Sequence, residues 1–386
     1  MISRRITRVL TVAVASLAAV SINAVAPGDA AAETAHWKVS AVPHAANYAL
    51  WGVSCTTASS CTLVGWGPSR RGLALQYDGH AFTRQTLPAA KPGQVNALSA
   101  VACHTSSGTR TCMAVGQWDG ATTNPHHPLA EQLRGHTWRR VPMPDVPGGT
   151  LRGVDCTSAS WCVAVGEVDS GATAEQVVNY PTTRALVMVW NGKHWSRRTS
   201  PLPATARHAA LFGIDCPRRG HCVIVGEADR THALIAVLSR GHWRKHLVTA
   251  VKGQKARLTD AACTSMTRCE ITGWYTLRSG ATRGLLGAYN GTTWIRQAAG
   301  DPGTAMSTLS SISCGSATSC VAFGTAGTSL YVDLWNGHRW AVRMLPTAAG
   351  HPQALADTIY CSAPSRCVAV GQGIDGEVPI VAQERP

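Results

Sequence analysis

Short apolar runs alternate with polar, glycine-punctuated stretches along almost the whole chain, and no segment repeats its apolar residues at helical spacing over several turns. Runs such as Cys162-Val163-Ala164-Val165 and Cys367-Val368-Ala369-Val370 stop at a glycine. After a loop of variable length comes a longer run, such as Ala185-Leu186-Val187-Met188-Val189-Trp190. Asn191-Gly192 then supplies the positive-φ step of a tight hairpin, and a further strand carries an aromatic residue. That aromatic recurs as Phe82, Trp138, Trp195, Trp243, Trp294 and Trp340. A short apolar strand ahead of each run completes a unit of four strands.

The cysteines count the units. Six pairs have five intervening residues: Cys55/Cys61, Cys156/Cys162, Cys216/Cys222, Cys263/Cys269, Cys314/Cys320 and Cys361/Cys367. The pair Cys103/Cys112 has eight. A glycine follows each second cysteine four residues later, from Gly65 to Gly371. A leucine stands five residues before each first cysteine, except in the seventh copy, which has Ala356. Four strands per repeat of about 50 residues predict an all-β, seven-bladed β-propeller with one disulfide inside each blade. Paired strands would hold the two Cα atoms about 4.5–5.5 Å apart, within reach of a disulfide. Zinc would require shorter ligand turns and recurring histidines.

The seventh copy ends after a third strand, Val378 to Gln383, while His36-Trp37-Lys38-Val39-Ser40-Ala41-Val42-Pro43 matches the fourth-strand segment Arg339 to Pro346. Residues 36–43 are therefore expected to close the ring as the last strand of blade 7, which conceals an open sheet edge. Cys320-Val321-Ala322-Phe323-Gly324 and Trp335-Asn336-Gly337-His338-Arg339-Trp340 resemble a repeat of secreted bacterial propellers, especially of actinobacterial type. The Asn/Asp-Gly-x-x-aromatic turn is also similar to the Asp-box hairpin of sialidase-like propellers, without the Ser-x-Asp-x-Gly-x-Thr-Trp pattern. Both resemblances imply the same fold.

The N-terminus reads as an export signal. Arg4, Arg5 and Arg8 precede an uncharged stretch from Val9 to Ile22, and Ala30-Ala31-Ala32 offers a cleavage site. The stretch is shorter than the roughly 20 residues a membrane span needs, and no cysteine precedes Cys55 to carry a lipid. The expected organisation is a signal peptide at 1–32 and one propeller at 33–386. The protein would be secreted and monomeric, with no membrane anchor. Fourteen cysteines in an even set fit that oxidising destination.

Net charge is +14, falling to +12 once residues 1–32 are removed. A basic surface attracts anionic partners, but the basic residues are scattered pairs such as Arg139-Arg140 and Arg197-Arg198, so no specific nucleic-acid site is predicted.

Candidate chemistry lies where the repeat is broken. Most tryptophans occupy repeated columns and belong to blade packing. Off the pattern are Trp66, Trp118, Glu167, Glu227, Trp274 and Tyr275, all just past a blade glycine and all expected on the face that carries the variable connections. They are the predicted contacts of a non-catalytic module for a glycan, cell-wall polymer or protein, with no cofactor and no metal. Glu167 and Glu227 each open Glu-x-Asp, reaching Asp169 and Asp229, and would serve a glycoside hydrolase or lyase in the enzymatic alternative. A purely structural scaffold is the third reading. His126-His127 lacks a partner at metal-ligand spacing, and P-loop, dinucleotide, His-Glu-x-x-His and nucleophile-elbow motifs are absent.

Overall fold

The computed structural model describes residues 36–43, 45–68, 71–89, 94–119, 126–169, 183–202, 208–229, 231–248, 254–374 and 378–385. The proposed signal peptide lies outside them, as do 120–125 and 170–182 of the two longest insertions.

The described chain forms seven four-stranded antiparallel sheets. Blades 1 to 6 span 49–84, 95–140, 149–197, 209–248, 256–297 and 307–344, each with its strands paired in chain order. Blade 7 takes three strands from 354–385 and its fourth from His36–Ala41. That strand pairs antiparallel with Val378–Arg385, from His36 opposite Arg385 to Ala41 opposite Ile380. Trp37 is buried in one cluster with Phe323, Val332 and Ile359, so the closing strand also fills the space between blades 6 and 7.

All seven predicted disulfides are present: Cys55–Cys61, Cys103–Cys112, Cys156–Cys162, Cys216–Cys222, Cys263–Cys269, Cys314–Cys320 and Cys361–Cys367. Their Cα atoms lie 3.9–4.0 Å apart, closer than the unbridged strand spacing expected from the sequence. The first strands end two or three residues past the first cysteine, as Val95–Ser106 does beyond Cys103. Each bridge therefore clamps the interior of a ladder, near the hairpin that joins its strands.

Burial gives these bridges a second role. The second cysteine of each pair stands inside its apolar run and is withdrawn from solvent, as at Cys61, Cys112, Cys222 and Cys269. Cys112 packs in the cluster with Val64 and Leu98, Cys222 with Trp161 and Val163, and Cys269 with Val223 and Val225. All of those partners except Leu98 belong to the preceding blade. The sulfurs of Cys112, Cys222 and Cys269 are thus core atoms between blades as well as cross-links within one, and none belongs to an accessible site.

The fourth-strand aromatics wedge between blades. Trp138 Nε1 donates to Gln85 Oε1 of the preceding blade at 2.8 Å, Trp340 Nε1 to Gln297 Oε1 at 2.7 Å, and Trp243 Nε1 to the Thr199 carbonyl at 3.0 Å. One atom of each indole is thus satisfied while its rings remove apolar area from water. At the hairpins, Asn191 Oδ1 accepts from the N–H groups of Lys193 and His194 while Gly192 sits at φ 95°.

The repeated glycines have a different cause. A Cβ added at Gly65, Gly116, Gly166, Gly226, Gly273, Gly324 or Gly371 would overlap a carbonyl oxygen on the first strand, that of Ala49 for Gly65 and of Thr308 for Gly324. At that level every blade carries a β-bulge: the register skips one first-strand residue opposite the glycine. The skipped residues are Trp51, Ser99, Arg152, Phe212, Thr259, Ser310 and Asp357. Bulges re-aim side chains, and these seven form one ring around the central channel.

Candidate functional site at the channel mouth

First strands from all seven blades line a central cavity of about 670 Å³. Each begins at the end of the ring that bears the variable connections and runs toward the disulfide end. The bulged ring therefore lies at the variable-connection mouth. Below it, the free edges of the first strands are capped by side chains of the neighbouring blade. The Cys103 N–H donates to Ser54 Oγ at 3.0 Å, Cys216 N–H to Asp155 Oδ2 at 2.7 Å, Cys263 N–H to Asp215 Oδ2 at 3.1 Å, and Cys361 N–H to Ser313 Oγ at 2.9 Å. Asp260 Oδ2 accepts from Ser311 Oγ at 2.6 Å and from the Ile312 N–H at 3.1 Å. Burial raises Asp155, Asp215 and Asp260 above the ordinary carboxyl range, Asp260 to about 6, against the opposing pull of these hydrogen bonds.

At the mouth, blades 3, 4 and 5 build a polar and aromatic cluster. Arg152 donates Nε and Nη2 to Glu167 Oε1 at 3.1 and 2.6 Å. Arg257 donates Nε and Nη2 to the two oxygens of Glu227, both at 2.8 Å, a fork that ties blade 5 to blade 4. The same guanidinium lies 4.6 Å from the ring centre of Phe212 and 5.4 Å from that of Trp274. Glu167, Glu227, Lys255, Arg257 and Trp274 share a recess of about 360 Å³ on this rim. From blade 1, Trp51 lines the cavity and meets Trp66 at 6.3 Å between ring centres and 54° between planes.

All six residues singled out in the sequence stand just past a blade glycine, at the end of a second strand. The structure brings Glu167, Glu227 and Trp274 together. Trp66 packs on Trp51 in blade 1, and the other two lie apart. Trp118 stacks on His127 at 4.3 Å in a separate recess with Pro128, Arg140 and Asp145. Tyr275 lies under Arg296, whose guanidinium is 4.6 Å from the ring centre. Glu167 and Glu227 are each held by an arginine. In the His126-His127 pair, Nδ1 of His126 faces Asp119 at 2.5 Å, and Nδ1 of His127 faces Asp145 at 2.6 Å. Among the described residues no three His, Cys, Asp or Glu side chains are grouped to hold a metal ion.

Sequence reasoning missed Trp51, Arg152, Phe212, Arg257 and Asp357, which sit inside apparently ordinary first strands. For all of them but Arg257 the signal was a mismatch in spacing. Leucine precedes the first cysteine by five residues, whereas glycine follows the second by four, so pairing both couples leaves one residue over.

The sequence matches no protein-family model and no curated protein. Solved structures share the fold. YCF48 from Cyanidioschyzon merolae superposes with a TM-score of 0.57 at 16% identity, covering 90% of this chain and 98% of that one. YCF48 bound to a D1 peptide gives 0.55 at 14%, covering 91% and 97%. The β-propeller domain of Cps50 (Swd1) from Myceliophteria thermophila gives 0.52 at 10%, covering 87% and 98%.

Proposed function

We propose that the chain is an exported binding propeller that holds a glycan, cell-wall polymer or protein segment at the channel mouth without transforming it. The observation that carries this reading is the convergence of Trp51, Arg152, Phe212, Arg257 and Trp274, from four blades, on the lining of one cavity. Flat aromatic faces stack on apolar ligand surfaces, while fixed guanidinium and carboxylate groups orient polar ones. The ion pairs hold these side chains in place before a ligand arrives, which lowers the ordering cost of binding. YCF48, a propeller of similar architecture, has been solved with a peptide bound.

The enzymatic alternative needs a carboxylic acid free to face a substrate oxygen. Glu167 and Glu227 are instead engaged by Arg152 and Arg257. Seven disulfides belong to an oxidising compartment, and no helix among the described residues is long and apolar enough to cross a membrane. Export directed by residues 1–32, with a monomeric single-domain product, fits that chemistry.

The test is retention of the mature protein on arrays of bacterial glycans, cell-wall fragments and peptides. Trp274→Ala is expected to weaken retention at least about tenfold, equivalent to about 1.4 kcal/mol, with little change in thermal stability. Full retention by both Trp274→Ala and Trp51→Ala would remove the mouth from consideration. Product release from the same panel, abolished by Glu167→Gln or Glu227→Gln, would establish the enzyme instead.

A further inference from the structure

We propose that the channel mouth receives a primary ammonium group carried by an extended peptide, a lysine side chain or an N-terminal amine, with Asp357 and Trp51 as its first contacts. This inference rests on the mouth being the binding site and specifies what enters it.

The charges lining the cavity are unequal. Its two arginines, Arg152 and Arg257, are already paired with Glu167 and Glu227. Four further carboxylates remain on the lining: Asp155, Asp215, Asp260 and Asp357. A strongly basic chain, +14 overall, thus encloses a channel whose lining has more acidic than basic side chains. A narrow cleft lined by charge of one sign concentrates ions of the other sign.

Asp357 differs from the other three acids. They accept backbone N–H groups from the next blade and so have a structural task. Asp357 Oδ2 is sealed from solvent with no hydrogen-bond partner. Burial, with no basic group offsetting it, pushes the carboxyl up to about 7. The residue is only half-buried and lies on the cavity lining, so Oδ1 is the oxygen left to meet a ligand. A single reachable oxygen suits the point charge of an ammonium group, whereas a guanidinium fork seeks two parallel oxygens.

Trp51 occupies the same bulged position in the adjacent blade. The two strands are tied by the Thr358 hydroxyl, which donates to the Trp51 carbonyl at 2.5 Å. An indole face beside a carboxylate attracts a cation by two mechanisms at once. Gly52, Gly153 and Gly213 line the next level of the cavity, each close against the first strand of the following blade. A lysine's four-carbon stem can pass Trp51 and Phe212, whereas a sugar amine would bring a pyranose ring with it.

The experiment uses the mature, oxidised protein and titration calorimetry with four probes. These are acetyl-Gly-Gly-Lys-Gly-Gly-amide, the same peptide acetylated on the lysine amine, pentaglycine amide with a free N-terminus, and glucosamine trimer. At least one free-amine peptide is expected to bind, and the two free-amine peptides distinguish a lysine from an N-terminal source. Capping that peptide's amine should weaken binding at least about tenfold, the effect of losing a charge-assisted hydrogen bond. Asp357→Asn should do the same. The capped-peptide comparison needs no variant, so it decides even if the substitution harms folding. Equal affinity after capping, no binding by either free-amine peptide, or undiminished binding to folded Asp357→Asn overturns the inference. Binding of the glucosamine trimer alone overturns the peptide assignment. If array retention still depends on Trp274 in any of these cases, the mouth reading survives and only the ammonium inference falls.

Discussion

Two sets of tryptophans do opposite work in this ring. Trp138, Trp195 and Trp340 lie in the fourth-strand wedge, where every blade but the last supplies an aromatic and the N-terminal Trp37 completes the column. Trp51 and Trp274 line the channel mouth with Trp66 packed on Trp51, and the neighbouring blades carry serine, aspartate, glutamine, glutamate or threonine at the matching positions. Repetition at a site that every blade must fill is a packing requirement. Departure from it, at a site with no such requirement, leaves the side chain free for recognition. Residue type alone does not separate the two sets; position within the blade does.

Stability should separate them most sharply. Trp195 is 3% exposed, and truncating it should remove its burial and leave a cavity between blades. Trp195→Ala is expected to cost about 3–5 kcal/mol. Trp274→Ala, at the half-buried mouth, should stay within about 1 kcal/mol. Denaturant unfolding of both variants checks the contrast, and equal losses would show that the mouth tryptophans are structural too.

The disulfides provide a second contrast, one that the mouth should not feel. Each closes a short loop near the end of the blade opposite the mouth, and by the chain-entropy estimate is worth about 2–2.5 kcal/mol. Replacing Cys156 and Cys162 together by Ser should lower stability by at least about that much, because Cys162 is also buried, while leaving array retention intact at the temperature of assay. Lost retention in a variant that is still folded would mean that blade geometry at the bridge reaches the mouth through the first strand.

The sequence made the repeated features legible because each appears several times. Blade count, disulfide pairing, hairpin turns and the donated N-terminal strand all follow from spacing. The mouth was only partly legible. Trp274, Glu167 and Glu227 break the pattern beside a glycine landmark and were picked out. Arg257 was not, because its partner Glu227 is 30 residues away in another blade and nothing local announces the pair. Asp155 and Asp215 look anomalous in apolar strands until the neighbouring blade's N–H groups are placed beside them. Spacing likewise pairs Cys112, Cys222 and Cys269 correctly but is silent on which blade covers their sulfurs, since that packing is made between repeats. The bulge that turns Trp51, Phe212 and Asp357 into the channel is a difference of one between two spacings, visible only when both are counted against each other.

The smallest expected effect concerns pH, and it divides the same two regions by charge. Burial raises Asp260 and Asp333 to about 6 and Glu270 and Asp357 to about 7. A carboxyl whose folded pKa exceeds its unfolded value penalises the fold fully when both states are ionised. As pH drops through the folded pKa the native state takes up the proton first, so stability should rise between about pH 7 and pH 4.5. His104 opposes this. Burial holds it low, so the unfolded chain protonates first as pH falls through about 6.5, and some stability is lost there. With these four raised acids against it, the melting temperature of the oxidised protein should be higher at pH 5 than at pH 8. Asp357→Asn isolates the part contributed by the mouth. It removes one ionisable group whose sealed oxygen has no partner to lose, so it should raise the melting temperature at pH 8 by roughly 2 °C and change it less at pH 5. A parent melting temperature that falls on acidification would mean that the raised acids do not govern the pH response. A variant that gains equally at both values would mean that the Asp357 charge costs the folded ring nothing.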